Sequence, residues 1–352
     1  MPLAGRRINL TTICLITLLT TSVFYALTMP FRQHFQSVLD KAEQAFQKIP
    51  GQPIEQIGDK GPAVPISSKP PPYSSSSSSA AHPSTHTRTP YWRPTFDPSA
   101  SVSTHFTHEV GQHGWGNAEA QNYVAAPANS FHSPSRPSNN NNTLVLRALI
   151  DSSAPTNAQR YTSARLSSHQ TLSRPRGCLS AHITAPVARG IWPAFWLLPT
   201  DPFVWPTDGE VDIFEAWDGD AINHSCLHWG FFDGNDWDKH RVIESEISRI
   251  GREGHFFEFA WTEDESSGEG RLVWYIDGRP VMRARKPAGT RRLSDFRILI
   301  NIAVGGNVCK GHMPGDGVYE MRVGELAMWD APPRGWEGFE ADWKAAREGH
   351  PM

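Results

Sequence analysis

The stretch Asp208-Gly-Glu-Val-Asp-Ile-Phe-Glu-Ala-Trp217 places three carboxylates, Glu210, Asp212 and Glu215, inside an apolar, β-prone run. Because side chains along a β-strand alternate between its two faces, Glu210 and Asp212 share one face. Glu215 then points to the opposite face unless the strand contains one extra residue. We therefore predict a β-bulge at or near Ile213-Phe214, since bulges re-aim side chains beside active sites.

With this bulge, the three acids form an in-line row. Its two outer carboxyl groups would lie about 5 to 5.5 Å apart, the separation that a retaining glycosidase needs. The alternative is an edge strand that carries solvated charges. The flanking residues Trp205, Pro206, Phe214 and Trp217 favour the acidic row, because anions crowded among apolar side chains repel one another without an evident structural benefit.

The composition favours a globular protein that binds a neutral partner. The chain has 352 residues, of which 39% are hydrophobic, with 33 basic and 36 acidic side chains and a formal net charge of -3. This near balance argues against a nucleic-acid partner. The 13 Trp residues suit a site that stacks on the flat faces of sugars, and they suit an ordinary β core equally well.

An apolar segment near the N-terminus is long enough to cross a membrane. Arg6 and Arg7 precede an uncharged run from Ile8 to Met29, and a bilayer needs about 20 residues. The run is either a signal anchor or a cleaved signal peptide, and its length and the lack of an A-x-A site before Pro30 favour the anchor. An anchor predicts a type II membrane protein with a lumenal or extracellular domain, whereas cleavage predicts a secreted protein.

The chain divides into four parts by composition. Residues 1–30 form the cytoplasmic stub and membrane segment, and residues 31–89 a juxtamembrane segment and a linker rich in Ser and Pro. A folded domain is predicted at 90–332, followed by a C-terminal tail at 333–352.

Nearly every readable element of the folded domain is a strand. Asp277-Gly278 predicts a hairpin turn between Leu272–Ile276 and Pro280–Arg283. A helix is predicted only at Glu340–Arg347. Many short strands separated by turns predict an all-β antiparallel sandwich or barrel. The other predicted strands are Leu144–Ile150, His255–Trp261, Phe296–Ala303 and Tyr319–Val323.

Two N-glycosylation sequons begin at Asn141 and Asn223, and both are predicted to lie in loops. Motifs for other kinds of site are missing from the sequence. It has no Cys-x-x-Cys pair, no P-loop pattern and no zinc-protease spacing of His and Glu, so it predicts neither a metal nor a nucleotide.

Six segments occur in the same order as in glycoside hydrolase family 16, the laminarinase and mixed-linkage glucanase group. They are Gly114–Gln121 (GWGNAEAQ), Tyr161–Leu166 (YTSARL), Gly190–Pro199 (GIWPAFWLLP), Glu210-x-Asp212-x-x-Glu215, Leu227–Gly230 (LHWG) and Asn301–Gly306 (NIAVGG). The chain resembles this family from about Trp92 to Trp329, although the acidic and aromatic segment that usually opens such domains is not evident near Phe96-Asp97. The resemblance implies a two-sheet jelly roll with a concave glycan cleft.

The resemblance also implies a role for each acid. Glu210 resembles the nucleophile, Glu215 the acid/base and Asp212 the assisting carboxylate. An anionic Glu210 should raise the pKa of Glu215 by like-charge repulsion, which keeps Glu215 protonated as the acid. Once Glu210 has become a neutral glycosyl ester, Glu215 can ionise and activate a water molecule.

Sugar-binding candidates lie on segments near the acids. Along Ile191–Leu198, Trp192 and Trp196 share one face and Phe195 and Leu197 the other, so one of these two rows belongs to the core. The full set of candidates is Trp192, Trp196, Trp205, His228, Trp229, Asn117, Glu119 and Arg165.

Other features follow from the resemblance. Cys226 and Cys309 are close to cleft motifs, and a disulfide between them would pin two cleft loops. The chemistry requires no cofactor. Many family members carry a structural calcium ion on the outer face, but the sequence does not place its ligands here.

The sequence is consistent with three functions. The first is a retaining endo-β-glucanase that acts on β-1,3 or mixed β-1,3/1,4 glucan as a monomer. The second is a membrane-anchored transglycosylase that remodels cell-wall glucan. The third is a glucan-binding protein without catalysis, which the presence of all three acids disfavours.

Overall fold

The computed structural model describes residues 88–134, 142–231, 236 and 238–351. The predicted membrane segment, nearly all of the linker and the sequon residue Asn141 lie outside these residues. Within the described part of the chain, no helix is both long enough and apolar enough to span a bilayer.

Strands dominate the described residues. Within the described ranges, the 3-10 helices are Val102–Thr104 and Leu293–Asp295, and the α-helices are Asn157–Arg160 and Gly335–Ala345. The strands are β1 (Pro90–Trp92), β2 (Phe106–His108), β3 (Asn122–Tyr123), β4 (Ser130–Ser133), β5 (Thr143–Ile150), β6 (Tyr161–Ser163), β7 (Arg165–Thr171), β8 (Arg176–Thr184), β9 (Ile191–Pro199), β10 (Glu210–Glu215), β11 (Ile222–His228), β12 (His240–Glu246), β13 (His255–Glu263), β14 (Gly270–Ile276), β15 (Arg279–Lys286), β16 (Phe296–Val304), β17 (Gly317–Trp329) and β18 (Arg347–Glu348).

These strands form two sheets. The larger sheet has the order β18-β15-β14-β13-β8-β17-β5-β6-β3, with β1 also paired to β17 and β4 to β5. The smaller sheet has the order β12-β11-β10-β9-β16-β7-β2. Every pair in the smaller sheet is antiparallel, and in the larger sheet only β15–β18 and β3–β6 are parallel.

The main core lies between the two sheets. Phe214 of β10 and Phe257 of β13 are fully buried, and their ring centroids are 4.7 Å apart. On the same interface, the indole N–H of Trp274 in β14 donates a 2.9 Å hydrogen bond to the main-chain carbonyl of Asp212. The predicted two-sheet antiparallel sandwich is therefore confirmed, and the strand that carries the acids is bound directly to the opposite sheet.

The predicted strands are all present, and most extend by one or a few residues beyond the sequence estimate. The hairpin at Asp277-Gly278 also forms. Both turn residues have positive φ angles, 51° and 73°, which is the conformation that a tight two-residue turn requires.

The C-terminal segment is not a separate tail. Its helix begins at Gly335, five residues before the predicted start at Glu340, because Gly335 and Gly338 weaken the helical signal of the first turn. The helix buries Phe339 against Ala260 and Tyr275, on the outer face of the larger sheet. Strand β18 then pairs with β15, so the described residues of the predicted tail, 333–351, belong to the sandwich.

We predict that the sandwich depends on the contact between Phe257 and Phe214. Replacing Phe257 by Ala removes a buried ring and leaves a cavity, so the free energy of unfolding should fall by about 3 to 5 kcal/mol in urea titrations. Val318→Ala is the control, because Val318 is 62% exposed and its loss should change stability by no more than about 0.5 kcal/mol. Equal effects of the two substitutions would show that the inter-sheet contact does not stabilise the fold.

Candidate active site

Strand β10 contains the predicted bulge. Asp212 lies opposite Trp196 of β9, and Phe214 lies opposite Phe195, the next residue of β9. Ile213 is therefore the extra residue on β10, and its side chain is buried in the core. A bulge between Asp212 and Glu215 is thus confirmed.

The bulge brings Glu215 to the face that carries the other acids. Trp192, which shares a face of β9 with Trp196, donates a 2.7 Å hydrogen bond from Nε1 to Glu215 Oε1. The charge of Glu210 acts on Glu215 as well, because it helps to raise the pKa of Glu215. The three carboxylates therefore form one row along β10.

Glu210 lies at the end of the row beside Trp205. Trp205 Nε1 donates a 3.0 Å hydrogen bond to Glu210 Oε2, and the Trp205 side chain is itself 45% exposed. Burial raises the pKa of Glu210 to about 7, while the Trp205 hydrogen bond and the charge of Arg165 oppose that rise. Both of these groups stabilise the ionised carboxylate.

Asp212 is the most buried acid of the row, with 4% of its surface exposed. Its Oδ2 atom has no hydrogen-bond partner and lies 3.5 Å from His228 Nε2. Burial raises the pKa of Asp212 well above its usual range, and the charges of Glu210 and Glu215 raise it further. Both effects favour the protonated form of Asp212.

Glu215 also favours its protonated form. Burial raises its pKa to about 8, and repulsion from Glu210 is the second cause. The sequence predicts repulsion from Glu210 as the cause of the raised pKa of Glu215, whereas burial is the larger cause in the structure. Between pH values of about 7 and 8, Glu210 tends to ionise while Glu215 keeps its proton, which is the division of roles that an acid and a nucleophile require.

His228 lies across from the acids on β11, in register with Glu210. Its Nε2 atom is 3.9 Å from Glu210 Oε1. Burial lowers the pKa of His228 to about 4, and the neighbouring His240 lowers it further. His228 is therefore neutral at physiological pH and adds no charge to the row.

Trp196 borders the row next to a network that sequence reasoning identified only in part. Its Nε1 atom donates a 2.7 Å hydrogen bond to Asn301 Oδ1. The Arg165 guanidinium lies over the rings of both Trp196 and Trp115, at 4.7 and 4.8 Å from the ring centroids, and Arg165 also pairs with Glu109 at 2.5 Å. The predicted Arg165 is thus placed beside the acids.

Trp115 and Asn301 were not among the predicted site residues. Both lie inside the quoted motifs Gly114–Gln121 and Asn301–Gly306, so the signal was present in the sequence. What the sequence did not reveal was that Trp115 and Trp196 enclose one guanidinium from two sides.

Asn117 and Glu119 line the other end of the row. Glu119 is buried, accepts a 2.6 Å hydrogen bond from Gln121 Nε2 and bridges to Gly305. Burial raises the pKa of Glu119, and its charge contributes to the raised pKa of Glu215. The carbonyl of Asn117 accepts a 2.8 Å hydrogen bond from the Asn307 N–H, which fixes this segment beside the loop after β16.

Trp229 is not brought to the row. It follows His228 in the chain, and alternation along the strand turns it to the opposite side. Its ring packs against the main core and lies under Arg241, whose guanidinium carbon is 5.0 Å from the ring centroid. The predicted sugar-binding role of Trp229 has no support in this arrangement.

The predicted Cys226–Cys309 disulfide is wrong. Both cysteines are buried and free. Cys226 faces Asp212 and His228 from β11, whereas Cys309 packs against Trp192 in the loop after β16. The two thiols therefore lie on different sides of the acidic row.

Asn223 is the largest departure from the sequence analysis. It lies in β11 rather than in a loop, it is fully buried, and its amide is used inside the protein. Its Oδ1 atom accepts a 2.9 Å hydrogen bond from the Glu215 N–H, while Nδ2 donates to the carbonyl of Ile213 and to Ser225 Oγ at 3.3 and 3.0 Å. Asn223 therefore fastens the main chain on both sides of the bulge, and the prediction that it is glycosylated is wrong.

The structure brings together side chains that could bind a metal ion. Among the described residues, one group of His, Cys, Asp and Glu side chains has donor atoms close enough to share an ion, namely Asp212, Cys226 and His228. Its thiol and imidazole donors do not fit the calcium ion that the family resemblance implies, because calcium takes six to eight oxygen ligands. This group was missed in the sequence because its members come from two strands.

The chain is similar in sequence to known glucan hydrolases. Residues 115–246 match the family model of the XgeA-like, catalytic GH16 domain. The chain is 25% identical over 252 residues to glucan endo-1,3-beta-glucosidase A1 of Niallia circulans, covering 63% of this chain and 35% of that protein. It is 27% identical over 231 residues to a beta-glucanase of Rhodothermus marinus, covering 61% of this chain and 75% of that protein. It therefore spans about a third of the length of the first relative.

Among solved structures, the laminarinase catalytic domain from Thermotoga maritima is similar to this chain with a TM-score of 0.56 and 23% identity, covering 69% of this chain and 98% of the other. This likeness concerns the fold, and it confirms the predicted jelly roll. The family match and the sequence relatives indicate a glycoside hydrolase, and none of them indicates a cofactor.

We predict that Asn223→Ala destabilises the protein, because it leaves the Glu215 N–H and the Ile213 carbonyl without their partner. The free energy of unfolding in urea should fall by about 1 to 3 kcal/mol. Ser225→Ala is the matched control, since it removes one hydrogen bond from Asn223 and also destroys the sequon. After expression in a glycosylating host, wild type and Ser225→Ala should differ in mass only by the substitution, and loss of a glycan from the variant would contradict the buried position of Asn223.

A second prediction follows from the raised pKa of Glu215. The folded state holds this proton up to a pH of about 8, whereas the unfolded chain releases it near the ordinary value of 4.5, so stability is lost as the pH rises between these values. Glu215→Gln cannot ionise and should be more stable than wild type at pH 8, by up to about 4 kcal/mol, with no difference at pH 4. The exposed Glu265→Gln serves as the control, and a Glu215→Gln curve parallel to that of wild type would refute the shift.

Proposed function

We propose that this chain, whose folded part belongs to glycoside hydrolase family 16, is a retaining endo-β-glucanase that hydrolyses β-1,3 or mixed β-1,3/1,4 glucan. The bulge at Ile213 carries this proposal, because it places Glu215 on the same face of β10 as Glu210, with Asp212 between them. The relatives named as a glucan endo-1,3-beta-glucosidase and a beta-glucanase support a β-glucan as the substrate.

In the first step, a Glu210 carboxylate oxygen attacks the anomeric carbon while the Glu215 proton moves to the glycosidic oxygen. The bond between that carbon and oxygen breaks, the reducing-end fragment leaves as an alcohol, and Glu210 becomes a glycosyl ester. Trp205 and Arg165 hold Glu210 in its ionised form before the attack. Trp192 fixes Glu215 by donating to its Oε1 atom.

In the second step, Glu215 acts as a base. Esterification removes the negative charge of Glu210, so one of the two causes that raise the pKa of Glu215 disappears and the carboxylate form becomes accessible. Glu215 takes a proton from water, the resulting hydroxide oxygen attacks the anomeric carbon, and Glu210 leaves as a carboxylate. Both acids return to their starting states.

Asp212 and His228 support Glu210 rather than form bonds to the sugar. A protonated Asp212 can donate a hydrogen bond to a neighbouring carboxylate, and it adds no third charge to the row. His228 is neutral, so it also leaves the net charge unchanged. Substitution of Asp212 therefore affects the nucleophile indirectly.

The aromatic residues around the row suit an unbranched polymer of sugar rings. The exposed Trp205 lies beside Glu210, and Trp192 and Trp196 lie on the neighbouring strand with their N–H groups bound to Glu215 and Asn301. Rings fixed in this way present rigid faces on which pyranose rings can stack. The stacking itself is part of the proposal.

A membrane-anchored cell-wall transglycosylase is the second candidate. It would use the same glycosyl ester and transfer the sugar to a carbohydrate hydroxyl group instead of water. The uncharged run from Ile8 to Met29 favours this function, because a type II anchor would hold the domain close to a wall outside the membrane. The alternative of secretion after cleavage favours free hydrolysis.

The test is to incubate the full chain with laminarin, lichenan and xyloglucan, with and without an oligosaccharide acceptor, and to measure product masses. We expect new reducing ends from laminarin or lichenan and no elongated acceptor. Proton NMR should show that the first product has the β configuration of the substrate, because two displacements retain it. Elongated acceptors would favour the transglycosylase, and no turnover of any glucan would contradict both enzymes.

The acid variants control this experiment. Glu210→Gln should abolish turnover, and Glu215→Gln should lower kcat by about 10² to 10⁴-fold. Asp212→Asn should have the smallest effect of the three, because the amide still donates a hydrogen bond. Full activity of Glu210→Gln would rule out the nucleophile assigned here.

A further inference from the structure

We infer that Asp212, Cys226 and His228 form a binding site for a zinc ion, and that zinc binding switches the acidic row off. Cys226 Sγ lies 3.2 Å from His228 Nε2, and His228 Nε2 lies 3.5 Å from Asp212 Oδ2. All three donor atoms lie within 4.8 Å of one another. Zinc binding is not a step of the hydrolysis reaction, although the zinc site includes Asp212, which belongs to the acidic row.

The pairing of β10 with β11 builds the cluster. Asp212 is directly opposite Cys226, and Glu210 is directly opposite His228. Cys226 and His228 are two residues apart on β11 and therefore point to the same face as the acids. All three ligands thus come from paired strands rather than loops, which holds their donor atoms in place before any ion binds.

The distances match the tetrahedral geometry that zinc adopts. Bond lengths of about 2.3 Å to sulfur and about 2.0 to 2.2 Å to nitrogen and oxygen place neighbouring ligands about 3.3 to 3.6 Å apart. The separations at His228 lie close to this range. Asp212 Oδ2 is buried and has no hydrogen-bond partner, so an ion would satisfy an atom that the fold leaves unpaired.

The chemistry of the donors selects the metal. A thiolate and an imidazole favour zinc and exclude calcium and magnesium, which prefer oxygen ligands. On binding, the thiol of Cys226 and the protonated carboxyl group of Asp212 each release a proton to solvent, and the ion accepts their electron pairs. Three protein ligands leave a fourth position on the ion for water. Glu210 Oε1 lies 3.9 Å from His228 Nε2, so the ion would lie close to the nucleophile.

An ion at this position would inhibit hydrolysis. It would bind the carboxylate that assists Glu210 and place a positive charge beside the nucleophile, which would lower both the basicity and the reactivity of Glu210. Removal of the ion by a chelator would restore the row, because no covalent bond has been made to the protein.

The test uses cobalt(II) as a spectroscopic substitute for zinc on the full chain. One equivalent of cobalt should give a thiolate-to-cobalt charge-transfer band, which zinc should displace, and isothermal titration should give one zinc ion per chain. Cys226→Ser should lose the band and weaken zinc binding by more than about 100-fold. Loss of a residue that only hydrogen-bonds to a metal ligand lowers metal affinity by about 10 to 100-fold, and Cys226 is itself a ligand. Cys178→Ser is the matched control, because Cys178 is buried in β8 of the other sheet.

Two further measurements separate the possible outcomes. Glu215→Gln should keep the cobalt band although its turnover is strongly reduced, so metal binding is tested independently of glucan hydrolysis. His228→Gln provides a second ligand variant if Cys226→Ser does not fold, as judged by circular dichroism. A band of equal strength in Cys226→Ser, or zinc inhibition that persists in both ligand variants, would overturn the assignment.

Discussion

The hydrogen bonds of Asn223 to the Glu215 N–H and to the Ile213 carbonyl are the constraint on which the site depends. A regular strand would send Glu215 into the core, toward Phe257, where a carboxyl group would have no partner, and would turn Phe214 out of the core. The bulge avoids this and keeps Ile213 and Phe214 buried. The same backbone is bound from the opposite sheet by Trp274, so the position of the acids is fixed from two directions.

This rigid arrangement has an electrostatic consequence. Three carboxyl groups in a partly buried row would repel one another if all were ionised, and burial alone already raises the pKa of each. Several groups beside the acids are neutral, namely indole N–H groups and an uncharged His228, so they add no further negative charge to the row. Function here rests on acids that are kept partly protonated, at the expense of stability at neutral pH.

The sequence predicted the architecture and the acidic row because both depend on simple periodicity. Alternation along β10 required a bulge, and the Asp277-Gly278 turn required a hairpin. Residues whose role depends on pairing between distant strands were not predictable in this way. Asn223 matched a sequon, yet its position opposite the bulge buries it, and Cys226 was assigned to a disulfide although strand pairing turns it toward Asp212. Trp229 was misplaced because a family motif does not state which face each residue occupies.

The C-terminal segment has a further consequence for the assembled sandwich. Strand β18 adds to β15 at one edge of the larger sheet, and His350 pairs with Val242 of β12, the edge strand of the smaller sheet. A single short segment of the chain thus pairs with an edge strand of each sheet and connects the two edges. Exposed margins of this kind recruit strands from other molecules and seed aggregation. On this side of the protein, the C-terminal segment covers the edge strands of both sheets. It therefore protects them from pairing with strands of neighbouring molecules.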